Sequence, residues 1–140
     1  MTPDSFALAS FIVLLVPMIY FGMVSPTFLL VKLDIPTVSQ LLRGLFKAYF
    51  LMVSITGLVG TIAFALAGRW VFAMCVGLIT AFAIAAGRWF LQHMDAEIRA
   101  RDAGVDGAVQ RLRRLHWSGM ACNAVQLVAV VASIPYVLGN

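Results

Sequence analysis

The residues best equipped for chemistry crowd into one stretch, Arg113 to Gln126, reading RRLHWSGMACNAVQ. On a helical wheel of about 100° per residue, His116, Met120 and Asn123 share a face. Gly119 and Gln126 lie beside that face, while Ser118 and Cys122 point elsewhere. Histidine changes charge near neutral pH, so His116 could gate, or bind, an anionic ligand. Asn123 and Gln126 are costly to expose to lipid and should look into a helix bundle. Arg88 and Tyr49 fall in the same half of the membrane and complete a candidate ligand or transport site. Each residue also has a plainer reading. Those readings are an interfacial packing histidine for His116, interhelical hydrogen bonding for Asn123 and headgroup anchoring for Arg88.

Other chemistries find less support. His116 and Met120 share a face, and Cys75 sits on a neighbouring apolar run, a set of soft ligands that would suit Cu(I). With only two histidines in the chain, and Cys122 pointing away from His116, no metal site is predicted. A haem with two axial histidines is also a poor fit, because His93 falls in the polar stretch after the third apolar run. No serine or cysteine stands at a fixed spacing from a base, and no glycine-rich phosphate loop is present. The sequence therefore carries no positive sign of an enzyme and implies no cofactor. Cys75 and Cys122 both lie in apolar runs, which argues against a disulfide framework and against CxxC metal spacing.

The elements that must position these residues are set by composition. Of the 140 residues, 62% are hydrophobic and 11% charged, against about 45–50% and about 25% in soluble domains. The excess lies in four segments, about 6–31, 45–67, 70–91 and 115–138. Each exceeds the roughly 20 residues that cross the hydrocarbon core as a helix. Lipid offers no partner for backbone groups, so each segment should be helical. The expectation is an all-α integral membrane protein, a four-transmembrane-helix bundle forming one domain over residues 1–140. A polar cytoplasmic loop, about 92–114, separates the last two spans. The N-terminus has no basic region and no evident cleavage site, so it reads as the start of a retained first span.

Local signals refine this frame. Pro26, beside Ser25 and Thr27, marks a bend or helix end in the first span. The second helix should start near Thr37, capped by Thr37 or Asp34, and Asp106 should cap the fourth. Thr56/Gly60 and Gly57/Thr61 are small-xxx-small pairs that let helices approach closely. Packing within the chain is their first reading, and a homo-oligomer seam along spans two and three is the second. The repeated Gly-Arg-Trp at 68–70 and 87–89 places two tryptophans about 28 Å apart on a helix, matching two aromatic belts.

Nine of the ten Lys and Arg residues flank the first and third connectors, and only Arg69 flanks the second. The positive-inside rule then puts both termini outside, which in a bacterial source means an inner-membrane protein with both ends away from the cytoplasm. The net charge of +4 is thus topology, not a nucleic-acid footprint. Arg111, Arg113 and Arg114 are expected against anionic lipid headgroups.

Four stretches also resemble the TMEM205-like family, described as a domain of unknown function. They are VSPTFLLVKLDIP from Val24 to Pro36, LFKAYF from Leu45 to Phe50, Arg88-Trp89, and Leu115-His116-Trp117-Ser118 followed by Cys122-Asn123. They stand in the family's order and cover most of the chain. Lys47 departs from the proline usual in that family. The resemblance implies a four-helix membrane protein with a loose link to tolerance of toxic compounds, and no settled activity.

Three functions follow as expectations. The first is a small transporter, channel or export component using Arg88, His116, Asn123, Gln126, Tyr49 and Met120, working as a homo-oligomer because four short helices enclose little space. The second is a non-transporting interaction or assembly protein, whose working surface is the loop from Asp95 to Arg114. The third, weaker, is a haem- or quinone-binding enzyme using His116 and Arg88.

Overall fold

A computed structural model describes residues 2–139. It contains four long helices and one short 3₁₀ segment. α1 spans Pro3–Val24, α2 Pro36–Leu66, α3 Trp70–Asp102 and α4 Ala108–Leu138, with the 3₁₀ segment at Ser25–Leu30. All four are long and apolar enough to cross a membrane. Consecutive helices pack side by side and α4 returns to α1, which closes an up-and-down bundle.

The helix ends follow from residue chemistry. Thr2 caps α1 by accepting the Ser5 amide at 3.2 Å. α1 ends at Val24, where Pro26 brings no N–H to continue the ladder, and the chain tightens into the 3₁₀ segment. α2 starts at Pro36, whose fixed φ suits the first helical position. Neither Thr37 nor Asp34 caps it: Ile35 holds the cap position without a side-chain bond. Asp106 does not cap α4 either. Gly107 takes that place at φ 78°, a conformation that favours glycine.

The polar stretch 92–114 is a helical hairpin rather than a loop. α3 continues to Asp102 and α4 begins at Ala108, leaving a turn of five residues. A helix of 33 residues is about 50 Å long, well beyond the roughly 30 Å hydrocarbon core, so α3 projects its polar end past the membrane.

The small residues of α2 work inside the chain. Gly57 lies against Thr80, and Gly60 against Val76 and Ser10. Thr56, Gly57 and Gly60 are buried, and Gly57 and Gly60 meet α3 directly, so the small-residue spacing serves packing within the chain. Aromatic residues fill the polar-hairpin half of the core. Phe46 meets Phe21, Phe50 and Phe90 at centroid distances of 5.1, 6.2 and 5.7 Å. α4 is the peripheral helix: 17% of its most apolar window is buried, against 44% for α2. Its few inward residues therefore decide how it docks. Trp70, Trp89 and Trp117 are all exposed on the outer surface.

Candidate functional site

The inward face of α4 carries a row of donors that read the backbone of the first span. Arg113 donates to the Phe28 carbonyl, and at 2.7 Å to that of Val31. His116 Nε2 lies 3.0 Å from the Ser25 carbonyl oxygen and 2.9 Å from its hydroxyl. Asn123 Nδ2 donates to the Met18 carbonyl at 3.1 Å. Each step forward on α4 is matched by an equal step back along the first span, from Phe28 to Ser25 to Met18. That is the register of two antiparallel helices in continuous contact. One further rung joins α2, where the Tyr49 hydroxyl donates to Gln126 Oε1 at 3.2 Å.

The carbonyls at the end of the first span, from Ser25 onward, need these donors for a local reason. A helix C-terminus leaves its last carbonyls without intrahelical partners. Here the proline at 26 and the 3₁₀ segment place such carbonyls under α4, away from water. Cations near a helix C-terminus also oppose its negative dipole end. Arg101 does the same from α3. It donates to the Leu33 carbonyl at 3.1 Å and to Ser39 Oγ, with its side chain 8% exposed.

His116 is fully buried and Asn123 nearly so. Phe28 and Phe46 stand edge-on to the imidazole, each at 6.3 Å. A carbonyl only accepts, so the Ser25 contact assigns the imidazole proton to Nε2. Nδ1 is then an acceptor with no partner, as is Asn123 Oδ1. Gly119, between them, faces the Phe46 ring so closely that a methyl group there would enter it. The surface grooves along α1 and α2 are apolar, and their linings include neither His116 nor Asn123.

Of the six predicted site residues, the structure sets His116, Asn123 and Gln126 along the inward side of α4 and joins Tyr49 to Gln126. Met120 is partly buried against the core. Arg88 is elsewhere. It is exposed on the outer face of α3, in a groove shared with Lys47. Of the arginines expected against lipid, Arg113 is turned to backbone carbonyls and Arg111 pairs with Glu97 at 2.8 Å. Arg114 is exposed. The carbonyl partners were missed from the sequence, although Pro26 was a usable signal for them. Among the described residues no group of three His, Cys, Asp or Glu is placed to hold a metal.

Two ion-bearing contacts close the ends of the bundle. At the polar end, beyond the apolar segments, Arg43 on α2 makes a two-pronged pair with Asp95 on α3. Hydrogen bonding to that guanidinium holds the Asp95 carboxyl below its ordinary pKa. At the other end Arg69 donates to the Val137 carbonyl at 2.9 Å and lies over the Phe72 ring at 4.5 Å.

Fold and site together define a small multi-pass α-helical membrane protein. The chain matches no family of known sequences, no curated protein and no solved structure.

Proposed function

We propose that this is a non-transporting interaction or assembly protein of the membrane, working through the hairpin that joins α3 and α4. The observation that carries this reading is that the polar strip of α4 is engaged with the first span and with Tyr49, inside a packed interface. A transport site needs groups free to take a substrate, and here Tyr49, His116, Asn123 and Gln126 each already have a protein partner. The hairpin instead presents Arg99, Asp102, Asp106 and Arg114 outward. We place that hairpin in the cytoplasm, with both termini outside, on the nine-to-one distribution of basic residues. Membership of the TMEM205-like family belongs to the same proposal. Three of its four motif stretches supply Ser25 and His116, which bond one another, and Tyr49 and Asn123, which bond Gln126 and Met18 further along the same seam of α4.

A second reading, transport, rests on the two unpartnered buried acceptors, His116 Nδ1 and Asn123 Oδ1. One experiment separates the two. Photo-crosslinking from position 110 should capture a partner in wild type and in Asn123→Ala, and lose it when Arg99 and Arg114 are both made Glu. Solute flux in proteoliposomes that vanishes in a folded His116→Ala protein would overturn the assembly reading.

A further inference from the structure

The outer seam of α2 and α3 holds a feature that neither reading uses. Arg43 and Asp95 pair at its polar end. One turn further into the membrane along α2, and two along α3, Lys47 and Arg88 are both exposed and neither belongs to an ion pair among the described residues. Their depth is matched by the packing beside them. Gly87 sits against Phe50, and a methyl group on it would lie 2.9 Å from the Phe50 β-carbon. Lys47 is one turn before Phe50, and Arg88 directly follows Gly87.

Beside these cations runs a groove of about 300 Å³, lined by Leu91 on the polar side and by Leu51, Ser54, Ala83 and Ile84 toward the membrane interior. The carboxylates closest in sequence are engaged: Asp95 with Arg43, Glu97 with Arg111 and Asp102 with Arg101. The seam therefore presents two uncompensated positive charges at the mouth of an apolar channel, at the edge of an apolar segment.

We propose that this groove holds one anionic phospholipid, its phosphate between Lys47 and Arg88 and one acyl chain along Leu51, Ala83 and Ile84. A phosphate offers several acceptor oxygens to a guanidinium and an ammonium, and such charge-assisted bonds are the stronger kind. The apolar channel gives the chain a place that a soluble phosphate cannot use. Of the hairpin arginines, Arg101 and Arg113 face carbonyls and Arg111 a carboxylate. The α2–α3 seam is thus where two free cations meet an apolar groove.

The test uses the whole protein in phosphatidylcholine vesicles, with spin-labelled phosphatidylglycerol or phosphatidylcholine as the probe. Wild type should immobilise the anionic lipid with a preference on the order of tenfold. K47Q/R88Q should abolish that preference, with helix content unchanged because both side chains are exposed. K32Q/R114Q removes the same charge from the same end of the bundle and should keep the preference. Glycerol phosphate at millimolar concentration should not displace the lipid. Equal loss in both double variants, displacement by glycerol phosphate, or no preference in wild type would each overturn the proposal.

Discussion

His116 Nε2 sits between the carbonyl oxygen of Ser25, at 3.0 Å, and the Ser25 hydroxyl, at 2.9 Å. This contact ties the first third of α4 to the point where α1 turns into a 3₁₀ segment. It is the buried centre of the donor row that starts at Arg113 and ends at Asn123. Its position explains why a histidine can be tolerated fully buried in an apolar bundle: one ring nitrogen has partners, and aromatic edges enclose the rest.

Removing that imidazole should loosen the first span. His116→Ala deletes an interhelical hydrogen bond, worth about 1 kcal/mol in membrane bundles, and leaves a cavity in a fully packed site. The expected loss is about 2–3 kcal/mol, measured by steric trapping or reversible SDS unfolding. Hydrogen exchange should rise at residues 25–31 before it rises elsewhere. A loss under about 0.5 kcal/mol would show that the contact contributes nothing to the fold.

Two glycines should respond to alanine with opposite signs. Gly119→Ala would drive a methyl group into the Phe46 ring, and overpacking of this kind costs about 1–3 kcal/mol. Gly44 has nothing within 4 Å of its would-be β-carbon, so Gly44→Ala should stabilise α2 by roughly 0.5–1 kcal/mol through helix propensity alone. Phe46→Leu should restore part of the Gly119→Ala loss in a double-mutant cycle. Loss of stability in both single variants, or in neither, would contradict the packing of α4 on α2.

These residues also mark how far sequence reasoning reaches here. Span number, the break at Pro26 and the inward face of α4 follow from hydropathy and 3.6-residue periodicity, because lipid leaves the backbone no alternative to helix. The caps were misplaced because Ile35 and Gly107 start their helices without a side-chain bond. Polar composition makes 92–114 look like a loop, yet Phe90, Met94 and Ile98 continue the buried face of α3 straight through it. Arg88 was grouped with His116 because depth can be read along a helix, whereas azimuth relative to a different helix cannot. The carbonyl partners of Arg113 and His116 are main-chain atoms and carry no residue-type signal.

The Arg43–Asp95 pair should make stability fall on the acid side. The carboxyl is held below its unfolded value of about 3.9. Its contribution is therefore complete above that value and disappears as pH drops through the lower folded value. Both side chains are about a third exposed, at 29% and 34%, so solvent screening keeps the effect to about 0.5–1 kcal/mol. Asp95→Asn should remove the acid-side slope, and the swap R43D/D95R should recover more than either single change. An unfolding profile in detergent from pH 6 to pH 2.5 that is identical for wild type and Asp95→Asn would refute this.

Asn123 gives the sharpest contrast between interhelical adhesive and binding site. Its Nδ2 donates to the Met18 carbonyl, while its Oδ1 is buried without a partner. Met18 lies within α1, so its carbonyl also accepts the helix's own bond from four residues on. Replacing Asn123 by Leu, of similar volume, removes one modest bond and one unpartnered acceptor together. Such exchanges of a buried polar group for an apolar one of matching shape are near neutral. Asn123→Leu should therefore change stability by less than about 1 kcal/mol, and Asn123→Ala should cost about 2 kcal/mol by opening a cavity. If instead the unpartnered Oδ1 serves a polar substrate, Asn123→Leu would fold normally and lose solute flux in proteoliposomes. Stability and flux measured on that one variant thus decide between the two roles. The packed geometry of α4 on α1 predicts a folded protein with unaltered partner crosslinking.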